Sequence, residues 1–179
     1  MARYVALLRG INVGGKNLIK MSDLQACFER HGFEDPITFI QSGNVVFGSS
    51  GATLAELTIR IEKMLTTDFH YEASVVLRTQ RQMRGTVENA PEGFGAEQDR
   101  YRYDVIFLMP PLSAPTAMQS VRTKDGVDRA WSGRGVLYFS RLTAKASQSQ
   151  LSRIVSMPIY QQMTIRNWNT TTKLLRLMG

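Results

Sequence analysis

Apolar residues follow two rhythms along this chain: short unbroken runs, and stripes spaced three or four apart. Tyr4-Val5-Ala6-Leu7-Leu8 is a run and predicts a buried strand. Leu24, Cys27 and Phe28 form a stripe, and Ser22 with Gln25 predicts a capping box at the start of that helix. Gly32 ends it beside His31. Pro36–Ile40 and Val45–Phe47 read as strands around the hairpin tip Gln41-Ser42-Gly43-Asn44. Thr53 with Glu56 makes a second capping box, followed by the stripe Leu54, Leu57, Ile61, Met64 and Leu65. A strand at Ala73–Leu77 and a short helix at Gln80–Glu88 follow. The order is β-α-β-β-α-β, the ferredoxin-like pattern.

Proline, glycine and charge break the rhythm over residues 89–100, which predicts a linker. The pattern then returns. Val105–Met109 is an apolar strand ended by Pro110-Pro111, and Ser113 with Pro115 opens a helix through Val121. Val127–Trp131 and Val136–Phe139 form a hairpin, and Ser147 with Gln150 is expected to cap a helix bearing Leu151, Ile154 and Val155. Met163–Ile165 is a last strand and Thr170–Met178 a closing helix. The fold class expected is α+β: two diverged ferredoxin-like halves, residues 1–90 and 91–179, plus a C-terminal helix. Val5–Leu8 and Val105–Met109 are apolar at every position, so both faces of each sheet should be covered. That argues against an open RNA-binding face.

The net charge of +7 is unevenly spread. Residues 1–22 and the stretch from Arg129 onward carry no acid, while all fifteen Asp and Glu lie between Asp23 and Asp128. If the two basic ends meet, they create an electropositive face; a generally basic, well-solvated surface is the plainer alternative. Only five apolar residues separate Arg3 from Arg9, fewer than a signal peptide needs, and no run approaches the roughly 20 of a membrane span. The single Cys27 excludes an internal disulfide and reads as a core residue; no His/Cys pairing has metal-site spacing. A cytoplasmic protein with no metal and no cofactor is expected.

Chemistry concentrates in two segments. Arg9-Gly10-Ile11-Asn12-Val13-Gly14-Gly15-Lys16-Asn17 follows the first strand, and a glycine-rich loop there can aim amide N–H groups at an anion. Its Gly10-x-x-x-x-Gly15-Lys16 spacing matches most of a phosphate-binding loop, but Asn17 replaces the Ser or Thr that would hold Mg²⁺. Hairpins in place of a parallel sheet argue against a P-loop NTPase. Arg166-Asn167-Trp168-Asn169-Thr170, with Lys173, runs from a strand end into a helix start. Asn169 or Thr170 is expected to cap that helix, leaving a second anion-ready terminus.

Arg9–Asn17, Gln41–Phe47 and Thr164–Thr170 together resemble the mainly bacterial family known as domain of unknown function 1697. The resemblance implies two ferredoxin-like subdomains and a cytosolic location, and brings no activity, substrate or catalytic residue. No Ser/His/Asp, Cys/His or paired-carboxylate set nominates an enzyme. The reading favoured is binding of a small phosphate-bearing or nucleotide-like ligand by Arg9, Asn12, Gly14, Gly15, Lys16, Asn17, Arg166, Asn167, Asn169, Thr170 and Lys173. For these residues to share one anion, residues 1–20 and 160–175 would have to converge. A nucleic-acid-binding module using a basic face, or a scaffold or dimerisation protein without ligand, are the alternatives.

Overall fold

The N-terminal apolar run is strand β1 (Ala2–Leu8), and its position inside a sheet explains its composition. In the computed structural model, which describes residues 1–179, β1 pairs antiparallel with β3 (Asn44–Ser49) and β4 (Val75–Thr79). Strand β2 (Glu34–Thr38) completes a four-stranded sheet of order β2-β3-β1-β4. Tyr4, Ala6, Leu8, Val45, Phe47, Val75 and Leu77 form one buried cluster with side chains of α1 (Met21–Arg30) and α2 (Leu54–Phe69). Alternation sends Val5, Leu7, Val46 and Val76 to the other face, and these are buried too. Two-sided burial is why β1 shows no polar alternation.

The chain divides into two compact units, Met1–Met83 with Lys173–Gly179, and Arg84–Thr172; the first boundary falls within α3 (Gln80–Glu88). The second unit repeats the order of the first. Strands β5 (Tyr101–Leu108), β6 (Asp128–Ser132), β7 (Val136–Leu142) and β8 (Met163–Asn167) form an antiparallel sheet of order β6-β7-β5-β8. Helices α4 (Ala114–Ser120) and α5 (Leu151–Val155) supply Ala114, Ala117, Leu151 and Ile154 to a core with Ile106, Leu108, Leu137, Phe139 and Met163. Helix α6 (Trp168–Leu177) follows β8 without a loop. No helix is long and apolar enough to cross a membrane.

Local chemistry departs from expectation at four places. The helix at Met21 starts from Lys20 without a side-chain cap, because Ser22 already lies inside the first turn. Ser147 sits in a 3₁₀ segment, Thr143–Gln148, and it is Ser149 whose Oγ accepts from Leu151 N at the start of α5. Helix α6 is capped by Asn167, whose Oδ1 accepts from Thr170 N at 2.8 Å; Asn169 and Thr170 are already helical. Residues 89–100 are no bare linker: the Phe94 ring meets Tyr103, Trp131, Tyr138 and Trp168 edge-on, at centroid distances of 4.9–5.9 Å. Gly95, at φ +86°, packs so closely on Trp168 that a Cβ would collide with the indole.

Because Phe94 touches four rings, Phe94→Ala should cost about 3 kcal/mol in denaturant unfolding, near the low end for aromatic truncations. Glu92→Ala, at an exposed position two residues away, should stay within about ±0.5 kcal/mol. Equal effects would return the segment to linker status.

Candidate functional site

The glycine segment folds as a small rigid finger. Val13 and Lys16 bridge antiparallel, with Lys16 N donating to Val13 O at 3.1 Å, and Gly14 and Gly15 form the two-residue tip at φ +59° and +74°. Two successive positive φ angles define a type I′ turn, which explains the glycine pair. Nothing in the protein lies within 4 Å of a Cβ built at Gly10, Gly14 or Gly15, so it is their positive φ, and no packing against a neighbouring element, that calls for glycine. The finger's side-chain amides are spent on backbone groups. Asn12 Nδ2 donates to Ile19 O at 3.0 Å and Gln41 O at 2.8 Å, while its Oδ1 accepts from Ile19 N at 2.8 Å. Asn17 Nδ2 donates to Gly10 O at 2.8 Å.

The second motif is the finger's anchor. Leu8 N donates to Gly43 O, and a Cβ at Gly43 (φ +80°) would collide with Ile11. Asn44, fully buried, donates to Phe39 O and Ser42 Oγ. What the finger presents outward is Lys16 and Lys20 beside two exposed apolar side chains, Val13 at 66% and Leu18 at 75%. Arg9, partly exposed, donates its backbone N–H to Ser74 O.

The third motif has a different setting. Arg166 is buried, and its Nη1 donates to Thr164 Oγ1 at 2.8 Å and Ile165 O at 2.9 Å; burial pulls the guanidinium down to about 10. It is a strand residue of the second sheet face, not a surface cation. Thr170 is buried by the cap, while Lys173 is exposed on α6. Asn167, Trp168 and Asn169, however, line a cavity of about 330 Å³ within the second unit. Tyr101, Arg102, Tyr103, Asp104, Arg141 and Gln98 complete the lining.

Asp104 stands out in this cavity. It is 8% exposed, and its Oδ2 accepts no hydrogen bond, although Arg141 Nη2 lies 3.4 Å away. Arg141 Nε likewise has no partner. Burial raises the Asp104 carboxyl above the usual carboxylate range, against the opposing pull of Arg141 and Arg102. Asp104 opens the apolar run at Val105 and reads there as a strand boundary. An acid alternating with Arg102 ahead of a doubly buried strand was the available signal.

A second group also lay outside the sequence expectation of no metal-site spacing. Cys27 and His31 stand four apart at the end of α1, and with Asp68 of α2 their ligand atoms lie within 4.8 Å of one another. That spacing stacks side chains on one helix face.

The chain belongs to the family described as a protein of unknown function (DUF1697), which matches residues 1–138. The match includes the finger and its anchor and stops before the third motif. The solved structure of the conserved bacterial protein SP0830 from Streptococcus pneumoniae is similar over 99% of both chains, at 26% identity and a TM-score of 0.86. No curated protein matches.

The raised Asp104 carboxyl carries a signed stability prediction. The folded state holds this proton more tightly than the unfolded chain, so the stability it contributes is complete below the ordinary value of 3.8. It is lost as pH rises through the raised folded value. Asp104→Asn should therefore flatten that part of the stability–pH curve and keep or raise the melting temperature at neutral pH. A clear loss at neutral pH would show that the Arg141 pairing outweighs burial.

Proposed function

We propose that the chain binds a small anionic, phosphate-bearing ligand of nucleotide-like build in the cavity at the start of α6. Arg102 and Arg141 supply planar donor forks suited to phosphate oxygens. The first turn of α6, with Asn169, adds the positive end of a helix dipole. Tyr101, Tyr103 and Trp168 offer flat apolar surface for a ring. The observation that carries the reading is the single cavity on which Arg102, Arg141 and the start of α6 converge, with the Asp104 carboxyl beside Arg141 as an acceptor for an N–H or hydroxyl on the ligand. Of the residues expected from the sequence, Asn167 and Asn169 take part here; the finger becomes scaffolding with a basic tip.

The same reading extends to architecture and setting. The strand orders β2-β3-β1-β4 and β6-β7-β5-β8 support a ferredoxin-like description of each half, divided near residue 90. A free, buried Cys27 suits a reducing cytoplasm. The finger favours a second activity, nucleic-acid contact, because Val13 and Leu18 are exposed beside Lys16 and Lys20.

Thermal-shift titration with nucleotides, the parent nucleosides and short single-stranded RNA tests both. Nucleotides should raise the melting temperature where nucleosides do not, and Arg141→Ala should weaken their binding by about 10–100-fold, the range for a charge-assisted hydrogen bond. Lys16→Ala should leave that shift intact. If Lys16→Ala abolishes it and Arg141→Ala does not, the ligand sits at the finger. If no phosphate compound shifts the transition, the cavity reading fails. For RNA, the finger reading requires steeply salt-dependent binding that Lys16→Ala weakens uniformly across sequences.

A further inference from the structure

Helix α1 ends on a cluster with no part in the cavity. Cys27 Sγ lies 3.2 Å from Asp68 Oδ2, His31 Nε2 lies 3.3 Å from the same oxygen, and all three ligand atoms fall within 4.8 Å of one another. A tetrahedral ion with bonds of about 2.0–2.3 Å to sulfur, nitrogen and oxygen places its ligand atoms roughly 3.3–3.5 Å apart. The two separations from Asp68 Oδ2 match this span, and the Cys27 Sγ–His31 Nε2 pair, within 4.8 Å, closes onto the ion by rotation of the partly exposed imidazole. Cys27 is fully buried, whereas the side chains of His31 and Asp68 are 38% and 22% exposed, so an ion would approach from the solvent side. The backbone is held: Arg60 donates to the His31 carbonyl and stacks its guanidinium over Phe33 at 4.5 Å. His31 N–H donates to Cys27 O, closing the last turn.

We propose that Cys27, His31 and Asp68 bind one divalent transition-metal ion of zinc type, with the fourth position left to solvent. The donor set of one thiolate, one imidazole and one carboxylate matches zinc preferences and is unsuited to magnesium or calcium. Coordination replaces the Cys27 S–H···Asp68 hydrogen bond, and the thiol proton passes to solvent. Arg30 opposes the ion, since its Nη2 lies 3.1 Å from Asp68 Oδ2. Its side chain is 60% exposed and can swing into water when the ion enters. The site would tie the end of α1 to α2 in the first unit, independently of any ligand in the cavity.

Co²⁺ titration of the reduced, chelator-treated full chain tests this. Expected is saturable binding of one equivalent, with intense tetrahedral d–d absorption and a thiolate-to-cobalt charge-transfer band, both removed by stoichiometric Zn²⁺. Cys27→Ser should abolish the charge-transfer band and weaken binding beyond the about 10–100-fold that outer-shell partners contribute. His31→Ala, at a partly exposed position that keeps the fold testable, should also weaken binding by more than that range. Arg30→Ala should tighten it several-fold by removing the competing cation. Absence of a one-equivalent Co²⁺ spectrum, or its retention at wild-type affinity in either ligand variant, would overturn the proposal. Cys27, His31, Arg30 and Asp68 would then be a hydrogen-bonded helix clasp only.

Discussion

Burial of both faces of the central strands governs the rest of this structure. Val5, Ala6 and Leu7 have no exposed surface, and neither have Val105, Ile106 and Phe107. A strand buried on both sides must leave its sheet through its ends, so polar chemistry is displaced to the strand termini and the turns after them. The finger follows β1, and the cavity gathers around the start of β5 and the end of β8. In register, Asp104 of β5 faces Asn167 of β8, which is why an acid and a helix start share one cavity.

The same constraint makes the charge on the other sheet face unusual. In each unit the last strand carries one arginine opposite a fully buried valine, Arg78 opposite Val5 and Arg166 opposite Val105. Each donates Nη1 to the preceding carbonyl, Leu77 O and Ile165 O, and burial lowers each guanidinium to about 10. Each strand then enters a helix with no loop, capped by the next residue: Thr79 Oγ1 accepts from Gln82 N, and Asn167 Oδ1 from Thr170 N. The repetition extends beyond strand order to a buried charge and its cap. A guanidinium stays ionised where a lysine could discharge, so arginine is the cation that tolerates this position in both units.

The elements were legible because their signals are local. Unbroken apolar runs marked β1 and β5, and the capping box at Thr53 forms with both bonds in place. Legibility failed where a residue's partner is distant in sequence. Phe94 sits among glycines and prolines, yet its rings come from residues 103 to 168. Cys27 and His31 share a helix face, but Asp68 arrives from a second helix. Asp104 gains its meaning only when Arg141 and Asn167 are brought beside it.

Motif strength and chemical capacity also prove to be separate quantities. The glycine finger is the most conspicuous stretch of the sequence, and its side-chain amides are consumed in holding its own shape. Asn12 alone satisfies two carbonyls and one N–H, so removing it would undo the finger before it could touch a ligand. The cavity residues are inconspicuous, yet Asp104 Oδ2 and Arg141 Nε are buried there without hydrogen bonds, as are polar atoms of Tyr71, Asp128 and Thr143 elsewhere. A fold that satisfies its buried polar groups almost everywhere leaves such atoms at a cost in stability. Asp104 and Arg141 bear that cost within one cavity, whereas the conspicuous glycines shape the turn they build, so prominence in the sequence and uncompensated polarity in the fold fall on different residues.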